Sequence, residues 1–146
     1  VATDAAGHFT YKVNLEKGQP EFVYVYRNGV KLASLLLSEG GKVTVNADTL
    51  GHWTVEGSQE CEKLAQVEAD YASALAAMTS AGSSDIVKEY VNYYRDRVKY
   101  VMSNPYSLTV LPVFFQTFGE NVHVFGQYTD AIHFSDAAES LETVYP

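Results

Sequence analysis

The stretch Glu21-Phe-Val-Tyr-Val-Tyr-Arg-Asn-Gly-Val-Lys-Leu-Ala-Ser-Leu-Leu-Leu37 decides the reading of this chain. Phe22 to Arg27 is made of β-branched and aromatic residues, Val30 to Leu37 is nearly all apolar, and only Asn28-Gly29 separates them. A two-residue type I′ turn needs φ > 0 at both centres, which Asn and Gly adopt most readily, so the stretch predicts a β-hairpin. On its N-terminal side Phe9, Tyr11, Val13 and Leu15 alternate with Thr10, Lys12 and Asn14, the period of a half-buried strand, until Gly18 to Pro20 breaks the chain. On its C-terminal side Gly40-Gly41 turns, Val43 and Val45 alternate, Asp48 to Gly51 turns again, and Trp53 and Val55 make a last short strand. The expectation is an antiparallel meander or half sandwich of about five strands over residues 7–57.

At Gly57-Ser58 the period changes from two to that of a helix. Ser58 is an N-cap candidate, with Glu60 and Glu62 at the positive end of the helix dipole. Leu64, Val67, Tyr71, Leu75 and Met78 share one helical face, and Cys61 lies three residues before Leu64 on that face. A second helix is expected from Asp85, with Val87, Tyr90, Val91, Tyr94, Val98 and Val101 as its stripe and Asn104-Pro105 as its stop. Arg95, Arg97 and Lys99 fall toward its C-terminal end. The apolar run Leu108 to Phe118 predicts a third helix, closed by Gly119, with Pro112 in its first turn or kinking it. Residues 120–130 read as loop, and Ser135 as the opening of a short last helix through Val144. The class expected is α+β: a β subdomain over 1–57 followed by three to four packed helices over 58–146, in one folding unit.

The charge of −8 argues against nucleic acid, since phosphate binding needs clustered Lys and Arg. The imbalance sits in the second part: residues 59–146 hold twelve acids and five bases, against six and five before them. No run approaches the roughly 20 apolar residues of a membrane span. Eleven tyrosines suit half-buried positions, where the ring packs and the hydroxyl stays wet.

The residues that carry chemistry are sparse. Cys61 is the only cysteine, so the chain has neither an intrachain disulfide nor a Cys-x-x-Cys pair, and its place on an apolar helix face points to a buried thiol. His8, His52, His123 and His133 form no HxH or HExxH pair. Asp130, His133 and Asp136 have ligand spacing only if that stretch is helical, and a cap at Ser135 argues against it. There is no phosphate loop and no G-x-S-x-G elbow. Candidate ligand-facing residues are Trp53, Tyr24 and Tyr26, which a concave aromatic strand face would present to a peptide, glycan or lipid; a tryptophan at the sheet–helix junction serves equally as core. No catalytic, cofactor or metal residue is expected.

Several stretches carry a resemblance. Asp4-Ala-Ala-Gly-His-Phe9, then Glu39-Gly-Gly-Lys-Val-Thr-Val-Asn-Ala-Asp48, then Val55-Glu-Gly-Ser58 entering a helix, are similar to the N-terminal domain, of unassigned function, that precedes thioredoxin-like domains in exported Bacteroidetes proteins. Tyr100-Val-Met-Ser-Asn-Pro-Tyr-Ser-Leu108 resembles the helix end and turn of those proteins, and Ser140-Leu-Glu-Thr-Val-Tyr-Pro146 the segment before their thioredoxin domain. The resemblance implies an extracytoplasmic setting, in the periplasm or anchored to the outer membrane, and a covalently linked thioredoxin-like domain as partner. It implies a non-catalytic accessory role, since the family's catalytic cysteine pair has no position in this chain. The family's first strands are also missing before Asp4, from which follows an expected self-association through a sheet edge at Phe9 to Leu15. The rival expectations are a periplasmic binding module and an enzyme with a site assembled from scattered residues.

Overall fold

The Asn28-Gly29 turn has the backbone its sequence demands, with φ of 50° and 79°. The computed structural model describes residues 1–16, 18–82 and 84–146. Strands β1 (Glu21–Arg27) and β2 (Val30–Leu37) flank the turn and pair antiparallel, Glu21 opposite Leu37 through Val25 opposite Ala33, with a bulge before Tyr26 meets Lys31. A second hairpin joins β3 (Thr44–Ala47) to β4 (Trp53–Glu56), with Val45 opposite Val55. Four α-helices follow among the described residues: α1 (Gln59–Ser80), α2 (Ile86–Ser103), the short α3 (Val110–Phe114) and α4 (Ala131–Glu142). The class is α+β, and no helix among the described residues is long and apolar enough to cross a membrane.

Two apolar clusters hold these elements. The first lies where the hairpins and α1 meet. Leu35, Val55 and Cys61 are its buried centre, with Val23, Val25, Leu37, Val43, Val45 and Trp53 around them. The pleat explains the membership, since Val23 and Val25 share one face of β1 while Tyr24 and Tyr26 share the other. The second cluster lies among the helices and gathers Val67, Tyr93, Val101, Val110, Val113, Phe114, Val124, Phe125 and Ala137. Full burial of a side chain such as Leu64 or Val67 contributes about 1.5–3 kcal/mol.

Helix α1 begins where the sequence places it: Ser58 is the N-cap, and its hydroxyl accepts from the Cys61 N–H. Helix α2 ends at Ser103, before Asn104-Pro105, and Pro112 lies in the first turn of α3. Other expectations need correction. The run Leu108 to Phe118 is helical only over Val110–Phe114; Gln116 then accepts at its carbonyl from the Val124 N–H, and Thr117 bridges to His123, which bends the chain back on itself. The last helix opens four residues before Ser135, because Asp130 and Gln127 cap the preceding turn reciprocally. In α2 the buried residues are Tyr93, Arg97 and Val101, while Val87 and Val91 are exposed. The face is rotated because two polar-tipped side chains, Tyr93 and Arg97, find buried partners.

The fifth strand is the largest difference. Phe9 to Leu15 joins no ladder, so four strands in two small sheets stand among the described residues where a five-strand meander was expected. The loop ahead of it nevertheless has the geometry of one that closes a hairpin. In Asp4-Ala-Ala-Gly-His8 one Asp4 carboxylate oxygen accepts from the N–H groups of Ala6 and His8, and Gly7 has φ +85°. Asp48-Thr-Leu-Gly-His52 repeats this arrangement, Asp48 accepting from Leu50 and His52 with Gly51 at φ +91°. The second loop closes the β3–β4 hairpin. The first closes none: neither the residues before Asp4 nor Phe9 to Leu15 stand in a ladder among the described residues. Alternation alone does not make a strand without a hydrogen-bonding neighbour. The sheet edge is therefore that of β1, not Phe9 to Leu15.

Two glycines carry the turns on which this arrangement rests. At Gly29 a Cβ meets open space, so only the positive φ resists substitution; at Gly57, with φ +99°, it would also come within 2.5 Å of the Lys42 carbonyl oxygen. Gly29→Val is expected to cost more than about 1 kcal/mol, and Gly57→Ala about 2 kcal/mol or more. Denaturant midpoints check both, and an unchanged midpoint for Gly57→Ala would contradict the close approach of β4 to the Lys42 turn.

Candidate functional site

The densest polar constellation lies between α1, α2 and the turn that enters α3. The Ser107 hydroxyl donates to Glu60 Oε2 at 2.5 Å, and Glu60 Oε1 accepts from Lys63 Nζ at 2.8 Å. Ser107 Oγ is 2.6 Å from Thr109 Oγ1, which is 2.6 Å from the Tyr100 hydroxyl. Proton counting orients the chain. Ser107 has one hydroxyl proton and gives it to the carboxylate, so Thr109 donates to Ser107 and Tyr100 donates to Thr109. Each bond runs toward the negative charge, the arrangement in which such bonds reinforce one another. One turn of α2 away, Arg97 Nη2 donates to Asp70 Oδ2 at 2.9 Å, and Gln66 holds the other Asp70 oxygen at 2.7 Å. The guanidinium lies against the rings of Tyr93 and Tyr100, 5.0 and 5.5 Å from their centroids. Its Nε and Nη1 have no hydrogen-bond partner among the described residues.

This constellation has the parts of a clasp. Ser107 is 4% exposed, and its proton acceptor is a carboxylate rather than an imidazole. Carboxylates are weak bases against an alcohol, and neither surface groove reaches Ser107. Of the three cations read toward the C-terminal end of α2, Arg97 turns inward because Asp70 stands one helix away. Spacing along α2 gave no sign of that pairing; only the approach of α1 supplies it.

Tyrosines tie the helices in the same manner. Tyr93 donates to Gln116 Oε1, Tyr94 to Asp130 Oδ1, Tyr90 to the carbonyls of His123 and Val124, and Tyr71 to the Thr117 carbonyl. Burial pushes Tyr93 up to about 12, and the hydrogen bond to Asp130 does the same for Tyr94. Tyr90 and Tyr100 are raised chiefly by burial.

The residues singled out from sequence are not brought together. Trp53 is half-buried in the cluster on the Val23 and Val25 side of β1, whereas Tyr24 and Tyr26 stand exposed on its opposite side. Cys61 is fully buried, and its thiol donates to the Leu36 carbonyl at 3.2 Å. Asp130 and His133 do lie on helical backbone, against the expectation from Ser135, yet the Asp130 carboxylate is taken up by Tyr94 and the Gln127 N–H, and His133 packs edge-on to Phe125. No group of three His, Cys, Asp or Glu able to hold a metal occurs among the described residues. His52 Nδ1 is 2.9 Å from Asp48 Oδ2, and that contact holds the Asp48 carboxyl below its ordinary value in an exposed loop.

Two open grooves of about 430 and 420 Å³ mark the surface of α1. One runs between the end of α1 and the start of α2, lined by Leu75, Met78, Ile86, Val87, Tyr90 and Phe118. The other passes Tyr71, Pro112, Phe115 and the Lys31–Glu68 ion pair. Comparisons with protein-family models, curated proteins and solved structures find no match. Fold and site together define an α+β unit in which the polar side chains between α1 and α2 serve the helices themselves.

Two outcomes follow from the clasp. Asp70→Ala strands a guanidinium that is 8% exposed, whereas Arg97→Met strands a carboxylate that is 34% exposed and can rehydrate. The first is expected to cost about 2–3 kcal/mol and the second about 1 kcal/mol or less, read from chemical denaturation. Equal costs would contradict the inward placement of Arg97. The tyrosines set an alkaline limit. Neutral Tyr93 and Tyr94 are favoured by the fold, so their contribution is complete below pH 10 and is lost as pH rises toward 12. Ultraviolet difference titration should show a late tyrosinate phase coincident with unfolding by circular dichroism.

Proposed function

We propose that the chain is a non-catalytic accessory and interaction module of an exported thioredoxin-like protein, positioning the linked thioredoxin-like domain or its client outside the cytoplasm. The observation that carries this reading is Cys61: it is the only thiol, it is fully buried, and its Sγ is engaged by the Leu36 carbonyl. Thiol–disulfide exchange needs an accessible thiolate and, for turnover, a second thiol. Any such chemistry in the parent protein therefore belongs to another domain. The resemblance of Asp4 to Phe9, Glu39 to Asp48 and Tyr100 to Leu108 to the domain preceding exported thioredoxin-like domains supports the same reading. The acidic charge supports protein rather than nucleic-acid partners. The ligand-binding alternative draws its support from the apolar groove between α1 and α2, since Trp53 and the strand tyrosines face different ways.

The full reading frame is expected to continue into a thioredoxin-like segment with a Cys-x-x-Cys pair; a frame without one would overturn the parentage. In an insulin-reduction assay with dithiothreitol the chain itself should give no acceleration. An acceleration abolished by Cys61→Ser would overturn the non-catalytic role.

A further inference from the structure

Among the described residues strand β1 has a partner on one edge only. Its sheet has two strands, and among the described residues no loop backbone bonds to Glu21–Arg27. Such an edge presents alternate N–H and C=O groups to any strand that arrives. The sequence of β1, Glu21-Phe-Val-Tyr-Val-Tyr-Arg27, is symmetric in chemical type about Tyr24. Laid antiparallel against a second copy with Tyr24 on a two-fold axis, Glu21 stands opposite Arg27 of the second copy and Arg27 opposite its Glu21. Phe22 meets Tyr26, Val23 meets Val25, and Tyr24 meets itself. The outward-pointing backbone groups belong either to residues 22, 24 and 26 or to residues 21, 23, 25 and 27. Both sets are symmetric about Tyr24, so donors meet acceptors in either case.

The charges select this register. Centring on Val23 places Glu21 opposite Val25 and Arg27 opposite Gln19; centring on Val25 places Arg27 opposite Val23 and Glu21 opposite Gly29. Only the Tyr24 centre pairs both charges. It also aligns the aromatic side chains, with Tyr24 and Tyr26 already 49% and 60% exposed. Aromatic and opposite-charge pairs across strands each favour association, and like charges oppose it.

We infer that β1 is a homodimerisation edge, through which two copies join their hairpins into one four-stranded sheet in the order β2–β1–β1–β2. The interface is isologous, as two-fold symmetry requires. A seven-residue edge spans only about 23 Å, so the dimer is concentration-dependent rather than obligate. This inference does not depend on the proposed function.

Sedimentation velocity of the chain over rising concentration is expected to show a monomer–dimer equilibrium. Arg27→Glu turns both charge pairs repulsive and should weaken the dimer about tenfold. Adding Glu21→Arg to it restores both pairs with reversed sign and should recover the dimer. Tyr24→Lys places two ammonium groups opposite one another on the axis and should abolish it, with circular dichroism showing the hairpin intact. A monomer at every concentration would overturn the inference, as it would if Phe9 to Leu15 closed the edge in solution. So would a double variant no tighter than Arg27→Glu, or a dimer indifferent to Tyr24→Lys.

Discussion

Helix α1 has Cys61 in the cluster between the hairpins and Val67 in the cluster among the helices, so one apolar face belongs to both cores. That face is placed by the joint before it. Gly57 leaves β4 with a backbone that only glycine adopts comfortably, close against the Lys42 carbonyl, and Ser58 caps the helix one residue later. The direction in which α1 leaves the sheet decides where α2 docks, and α2 in turn receives α3 and α4. Two hairpins of this size would be marginal in water by themselves. Burial of their inner faces under α1 gives them a shared core.

The polar chemistry of the chain follows the same geometry. The Tyr100–Thr109–Ser107–Glu60 chain and the Arg97–Asp70 pair both join α2 and its following turn to α1. Tyr71, Tyr90 and Tyr93 fasten these helices to the segment from Gln116 to Val124, which has little regular structure of its own yet supplies buried Val124. Tyrosine suits this use because its ring fills apolar volume while its hydroxyl satisfies a carbonyl or carboxylate at the cluster margin. A buried arginine is a weaker source of stability, since its desolvation offsets much of the attraction to Asp70. Its orientation nevertheless fixes the facing sides of α1 and α2, because the charge cannot be left unpaired. These contacts order the helices on whose surface the two grooves lie.

Much of this was legible in the residues. Asn28-Gly29 between two apolar runs determines the first hairpin, Ser58 and Asn104-Pro105 determine helix ends, and the Cys61, Leu64 and Val67 spacing determines the buried face of α1. These are local effects, in which backbone preference and periodicity act within a few residues and need no partner to be named. The fate of Phe9 to Leu15, the rotation of α2 that buries Arg97 and the separation of Trp53 from Tyr24 and Tyr26 were decided only by tertiary structure. Each depends on a neighbour distant in sequence: a ladder partner that none of the described strands supplies, Asp70 on another helix, and the face of β1 that lies in the cluster with the second hairpin. A side chain's partner is set by which elements approach one another in space, and that approach is a property of the whole packing rather than of any segment.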